Sequence, residues 1–185
     1  MLTLIFFFKT LIDLYIMILL LHAWMEWICC DLHNAFSQFI IKITKPVVKT
    51  IDYITSKNKF RNFFSLFAAF FLAVIKLPLL TLFEIHCLIL NPIYLFVGIL
   101  ELLKETGKLI FWMMITRSLF NWISRRKKHP MDIVLYQLSE PFVYPIRRVL
   151  PVINGIDFSS LIVLFILYIL NNIFANLFPG IWNRL

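Results

Sequence analysis

The chain has 185 residues, of which 61% are apolar, 17% aromatic and only 15% charged. Soluble domains sit near a quarter charged, so this composition cannot cover a water-exposed surface and points to an integral membrane protein. The net charge of +8 does not indicate nucleic acid, because the basic residues flank long apolar runs, the pattern of segments that face anionic lipid.

Four segments are long and apolar enough to span about 30 Å of hydrocarbon. They run over about 4–28, 63–83, 93–123 and 158–178. The first lacks a basic leader and an A-x-A site and carries Lys9 and Asp13 within it, so it reads as a retained helix and not a signal peptide. Pro78 should kink or end the second. Residues 81–92, broken by Glu84, His86 and Asn91-Pro92, read as a short outer connection dipping into the interface, with a fifth span as the alternative.

The connections between spans one and two and between spans three and four are amphipathic. Phe36, Phe39, Ile40, Ile43 and Val47 recur at helical spacing with Lys42, Lys45 and Lys49 opposite, and Met131, Val134, Leu135, Leu138 and Phe142 recur likewise. Helices of this kind lie in the membrane interface. Pro46 and Pro141 should divide each into two pieces joined by a bend. Together the connections hold Lys42, Lys45, Lys49, Lys57, Lys59, Arg61, Arg125, Arg126, Lys127, Lys128, Arg147 and Arg148. That excess of basic residues predicts that both face the cytoplasm, with the termini on the other side.

A shift of 95 residues superposes the halves without a gap. Lys9 falls on Lys104, Leu14 on Leu109, Trp27 on Trp122, Pro46 on Pro141, Phe63 on Phe158 and Ser65-Leu66 on Ser160-Leu161. Tryptophan on tryptophan and proline on proline in one register mark an internal repeat, 1–90 and 91–185. Each copy is a span, a bent amphipathic segment and a span. Two spans per copy make the copies parallel, related by a pseudo-two-fold along the membrane normal. The expected fold is therefore all-α and polytopic, with four transmembrane helices. Asn62 and Asp157 fall together as expected N-caps.

The second copy reads Ser139-x-Pro141-x-x-x-Pro145-Ile-Arg147-Arg148-Val-Leu-Pro151, followed by Gly155-Ile-Asp157-Phe-Ser. The first carries Trp24-Met-Glu-Trp27 and Asp31-Leu-His-Asn-Ala-Phe-Ser-Gln-Phe-Ile-Ile-Lys-Ile-Thr-Lys-Pro46. Over essentially the whole chain these motifs closely resemble the YggT family of bacterial inner-membrane proteins. The resemblance implies a multi-pass protein of a Gram-negative type of inner membrane, without cofactor. It also implies links to osmotic stress or potassium homeostasis, to cell division and, in chloroplast relatives, to haem attachment on cytochrome b6 and nucleoid distribution. Two departures stand out. The family's double arginine is absent from the first copy, and His22 stands where the family usually has arginine and the second copy has Arg117.

Pro141, Pro145, Arg147, Arg148 and Pro151 form a candidate docking surface for anionic lipid headgroups or for an acidic loop of another membrane protein, with Pro145 opening a short helix. Lys9, Asp13, Lys104 and Lys108 are candidate intramembrane ion pairs, Asp13 joining Lys9 or Lys108. If they instead line an ion path at the repeat interface, Lys76 would join them. Arg117 and Asp157 are a candidate clamp between spans three and four, mirrored by His22 and Asn62. The cysteines Cys29, Cys30 and Cys87 have no metal spacing, and the four histidines scatter, so no metal or haem site is expected. No catalytic constellation is present. The expected function is a non-enzymatic accessory factor in ion balance or assembly of membrane complexes. The alternative is a small channel or transporter, which would need a homo-oligomer to enclose a path.

Overall fold

The computed structural model describes residues 2–30, 34–54, 63–85, 92–123, 130–149 and 158–182. Those residues form six helices and no strand: α1 (Leu2–Ile28), α2 (Ala35–Ile54), α3 (Phe64–Ile85), α4 (Ile93–Ile123), α5 (Pro130–Val149) and α6 (Ser159–Leu177). In order these helices fall where a span, an amphipathic segment and a span are expected in each copy.

Two described helices, Ile5–Ile28 within α1 and Ser159–Leu177, are long and apolar enough to cross a membrane; α3 offers a shorter apolar stretch, Phe64–Leu80. The expected count of four is thus met at two positions. The physical reason in α4 is its load of Glu101, Lys104, Glu105, Lys108 and Arg117, which interrupts its apolar run.

The amphipathic segments correct a second expectation. α2 and α5 are each one continuous helix, with Pro46 inside the first and Pro141 and Pro145 inside the second. An internal proline removes one backbone N–H and crowds the preceding turn, yet a helix whose apolar face is packed can run through it. Pro145 accordingly lies within α5 and does not open a helix. On α2 the buried face is Ser37, Ile40 and Thr44, with Gln38, Lys42, Lys45 and Lys49 exposed. On α5 it is Val134, Leu135, Leu138, Ser139 and Val143, with Tyr136, Pro141, Tyr144 and Arg148 exposed. α3 likewise continues past Pro78 to Ile85. The residues that would decide between an outer connection and a fifth span, 86–91, lie outside the described residues.

α1 stops for a local reason. Cys29 adopts φ 53°, its N–H bonds the Glu26 carbonyl at 3.3 Å, and the Cys30 N–H reaches back to the Met25 carbonyl at 3.1 Å. This is a left-handed Schellman cap, closed by the buried pair Cys30 and Met25. Glycine normally fills that place, so Cys29 carries the steric cost of a Cβ.

The chain forms two compact units. One comprises Met1–Trp24 and Ile40–Thr106, the other Met25–Phe39 and Gly107–Arg184. In the first, buried apolar side chains come from α1 (Ile16, Leu19), α2 (Ile40), α3 (Phe64, Ala68, Ala69, Ala73) and the first half of α4 (Val97, Leu100). In the second, Ile110 and Met114 of α4, Val143 of α5 and Val163 of α6 form one core, wrapped by Phe142, Ile146, Leu164 and Leu167.

Candidate functional site

The first unit holds its chemistry on three helices. Lys76 of α3 is 1% exposed and its ammonium meets two carboxylates: Asp13 of α1 at 2.5 Å and Glu101 of α4, which accepts a short hydrogen bond. Glu105, one turn further along α4, is fully buried beside them. Asp13, Glu101 and Glu105 each present a carboxylate oxygen within 4.8 Å of the other two, an arrangement that could hold a small cation next to the ammonium. Glu101 and Glu105 share a face because they are four residues apart on one helix. Lys9 and Lys104, half-buried, lie one turn before Asp13 and three residues after Glu101.

A glycine lets α3 and α4 come together here. Ala73 and Ala69 are buried one and two turns before Lys76. A Cβ on Gly98 would stand 2.5 Å from Val74 Cγ2 and 3.3 Å from the Val74 backbone. Without that glycine the helices could not approach so closely, and the Lys76–Glu101 pair three residues on depends on the approach.

A second polar node in the same unit joins α1, α2 and α3. Nδ1 of the buried His22 lies 3.1 Å from Thr44 Oγ1 and 3.0 Å from Ser65 Oγ. Thr44 Oγ1 is also 2.9 Å from the Ile40 carbonyl and 3.2 Å from that of Ile41.

In the second unit the equivalent place is charged. Arg117 of α4 donates a short hydrogen bond to Ser139 of α5, contacts Glu140 at 3.4 Å and lies 4.8 Å over the Tyr136 ring. Glu140 also pairs with Arg147 at 3.4 Å, so one carboxylate bridges two guanidiniums. Ser139 Oγ sits 2.6 Å from the Leu135 carbonyl, as Thr44 does to Ile40. The 95-residue register that relates His22 to Arg117 also relates Thr44 to Ser139 and Ser65 to Ser160, which is buried too.

Of the residues singled out from sequence, Asp13 enters an ion pair with Lys76. Lys9, Lys104 and Lys108 are half-buried, and each has an interaction partner. Arg117 meets α5 within the described residues, and Arg147 pairs along α5. Pro141, Pro145 and Arg148 are exposed on the outer side of α5. Asp157, Asn62 and Pro151 lie outside the described residues. Sequence reasoning missed Thr44, Ser65, Ser139 and Glu140. Hydroxyls recurring at 44 and 139, and at 65 and 160, were the available signal.

The profile of the CCB3/YggT family matches this chain twice, over residues 1–83 and 96–178, the two matches beginning and ending in the 95-residue register. The YggT protein of Escherichia coli (strain K12) is 38% identical over 191 residues, covering 99% of both chains. This chain belongs to the CCB3/YggT family. A protein of Vibrio alginolyticus from the proC 3′ region is 34% identical, covering 97% of each chain, and a relative in Haemophilus influenzae (strain ATCC 51907 / DSM 11121 / KW20 / Rd) is 32% identical, covering 95% of this chain and 93% of its own. No solved structure matches. For this YggT-family chain the double match means that the charged node and the neutral node occupy corresponding places in two copies of one family unit.

Proposed function

We propose that this chain is a four-span inner-membrane protein with a non-enzymatic role in ion homeostasis, and that its working centre is the cluster of Asp13, Lys76, Glu101 and Glu105. The topology keeps both basic connections in the cytoplasm and the termini in the periplasm. Its contacts are the bilayer and anionic headgroups, not nucleic acid. One observation carries the reading. A fully buried lysine is gripped by two carboxylates with a third beside them, on helices that this topology puts in the bilayer. Charges in hydrocarbon cost several kcal/mol, about 2.5–3.5 by insertion measurements, and such groups generally serve ion or proton movement. Three carboxylates around one ammonium provide a place where a small cation, the proton included, can be exchanged against the tethered lysine.

The test is ion movement in liposomes containing only this protein, with potassium and proton gradients imposed separately. Wild-type flux that is lost in Glu101→Gln, with the variant still monodisperse in detergent, supports the reading. Flux no greater than that of empty liposomes overturns it. A second reading, docking to other membrane complexes, has its own support in the outer side of α5, where Tyr144 is 59% and Val149 79% exposed beside Arg148. Crosslinking from position 148 in native membrane tests it, and recovery of lipid alone counts against it.

A further inference from the structure

α6 is buried only at its start. Ser159, Ser160 and Val163 are covered, and most of the helix beyond Val163 is exposed. Exposed apolar side chains on a membrane helix ordinarily face lipid, so exposure alone says little. One line along this helix does not fit that explanation. Phe158, Ile162, Phe165, Ile169, Asn172 and Asn176 succeed one another at spacings of four, three, four, three and four. That is the spacing of a heptad seam, along which two helices can pack side by side. Phe158, Phe165 and Ile169 on it are 46%, 60% and 42% exposed, and Asn172 and Asn176 are exposed as well.

The asparagines are the informative members. A carboxamide facing hydrocarbon lacks the partners that water would give it. The neighbouring Asn171 meets this need inside the chain, accepting a 3.0 Å hydrogen bond from Trp182 Nε1. Asn172 lies on the seam instead and is exposed. In the first copy its register position is Leu77 and that of Asn176 is Thr81, so the repeat does not require asparagine there.

We propose that α6 packs against α6 of a second copy of this chain, along this seam, with the two Asn172 side chains bonded to each other. An amide carries both donors and an acceptor, so it complements itself. Copies inserted in the same orientation are related by a two-fold along the membrane normal, which sets each seam residue opposite its own counterpart at equal depth. A single polar residue in an apolar seam then fixes register and stoichiometry.

The experiment uses the full chain in lipid vesicles at a series of protein-to-lipid ratios, with stoichiometry read by single-molecule photobleaching. The wild type should be dimeric, and Asn172→Leu should weaken association roughly three- to thirtyfold. In a background with Cys29, Cys30 and Cys87 changed to serine, Asn172→Cys should form a disulfide dimer on oxidation, and Leu170→Cys, exposed but off the seam, should form far less. A monomer at every ratio overturns the proposal. So does equal crosslinking at 170 and 172, or association unaffected by Asn172→Leu.

Discussion

The two compact units keep their charge at places that do not correspond, and in different settings. In the first unit the charge is sealed among α1, α3 and α4, with Lys76 and Glu101 each 1% exposed. In the second it gathers where Arg117, Glu140 and Arg147 meet, with their side chains 11–29% exposed. The register explains how this came about. Asn171 stands at the place of Lys76, Lys108 at that of Asp13 and Phe6 at that of Glu101, so the buried cluster, which takes Asp13 and Lys76 from the first copy and Glu101 and Glu105 from the second, has no counterpart in the repeat. Conversely, His22 replaces Arg117, and Lys45 with Asp52 replaces Glu140 with Arg147, a pair with its signs exchanged. The hydroxyls at 44 and 139 and at 65 and 160 are kept in both copies, while the group set against them is an imidazole in one and a guanidinium in the other.

The largest effect expected from breaking this contrast lies in the first unit. Lys76→Met strands Asp13 and Glu101 in a buried setting and should cost about 3–5 kcal/mol. Thermal unfolding in detergent measures it. Changing all three residues to apolar ones should restore most of the loss, because a buried ion pair is itself of small net value. Persistent instability of the triple variant would mean that the cluster organises the unit beyond its charges.

The two glycines of α4 sharpen the comparison next. Gly98→Ala forces Val74 aside and should destabilise by about 1–3 kcal/mol while loosening the Lys76–Glu101 pair. Gly107→Ala meets nothing within 4 Å and should stabilise by up to about 1 kcal/mol through helix propensity. Equal responses would contradict the close approach of α3 and α4.

A smaller difference separates the two nodes. Ser139→Ala removes an acceptor from a guanidinium and should cost about 1.5–3 kcal/mol, whereas Thr44→Val removes a neutral partner of His22 for about 1 kcal/mol. Chemical unfolding of both variants in the same detergent gives the ranking, and a larger loss for Thr44→Val would reverse it.

The smallest effects concern the end of α1. Cys29→Gly should gain about 0.4–1 kcal/mol by relieving the left-handed residue, although glycine's freedom in the unfolded chain offsets part of this. Burial, and secondarily the neighbouring Cys29, push the Cys30 thiol up. Its thiolate is therefore scarce at neutral pH. Maleimide should label the exposed Cys29 first, and labelling at Cys30 should keep climbing as pH rises. Equal rates at pH 7 would contradict its burial.

Much of this architecture is legible in the amino-acid sequence. Element order comes from apolar length and amphipathic spacing, and the repeat from tryptophan and proline in register. The buried face of α5 matches the spacing of Val134, Leu135 and Leu138. Partner choice is what escapes. Lys76 is far from Asp13 and Glu101 in the sequence and meets Glu101 where Gly98 lets α3 and α4 approach, and steric permission of that kind leaves no charge pattern. The burial of Thr44 and Ser37 is hidden by their polarity. Hydropathy assigns such residues to the wet side, whereas Thr44 satisfies itself on its own helix and can face inward. The expected breaks at Pro46 and Pro141 fail because packing along the whole helix outweighs one missing backbone bond.

The hydroxyl nodes also differ in how their protons are ordered. A guanidinium can only donate, so Ser139 must accept from Arg117 and send its own hydrogen to a helix carbonyl. That arrangement has a single sense. Imidazole can give or take at Nδ1, and Thr44 has the Ile40 carbonyl as an alternative acceptor, so the first copy admits two arrangements of hydrogens on one set of heavy atoms. One junction thus has a single sense of donation, and the chemistry of the other permits two. A hydrogen can relocate across the His22 node without any helix moving, and the Arg117 node offers no equivalent exchange.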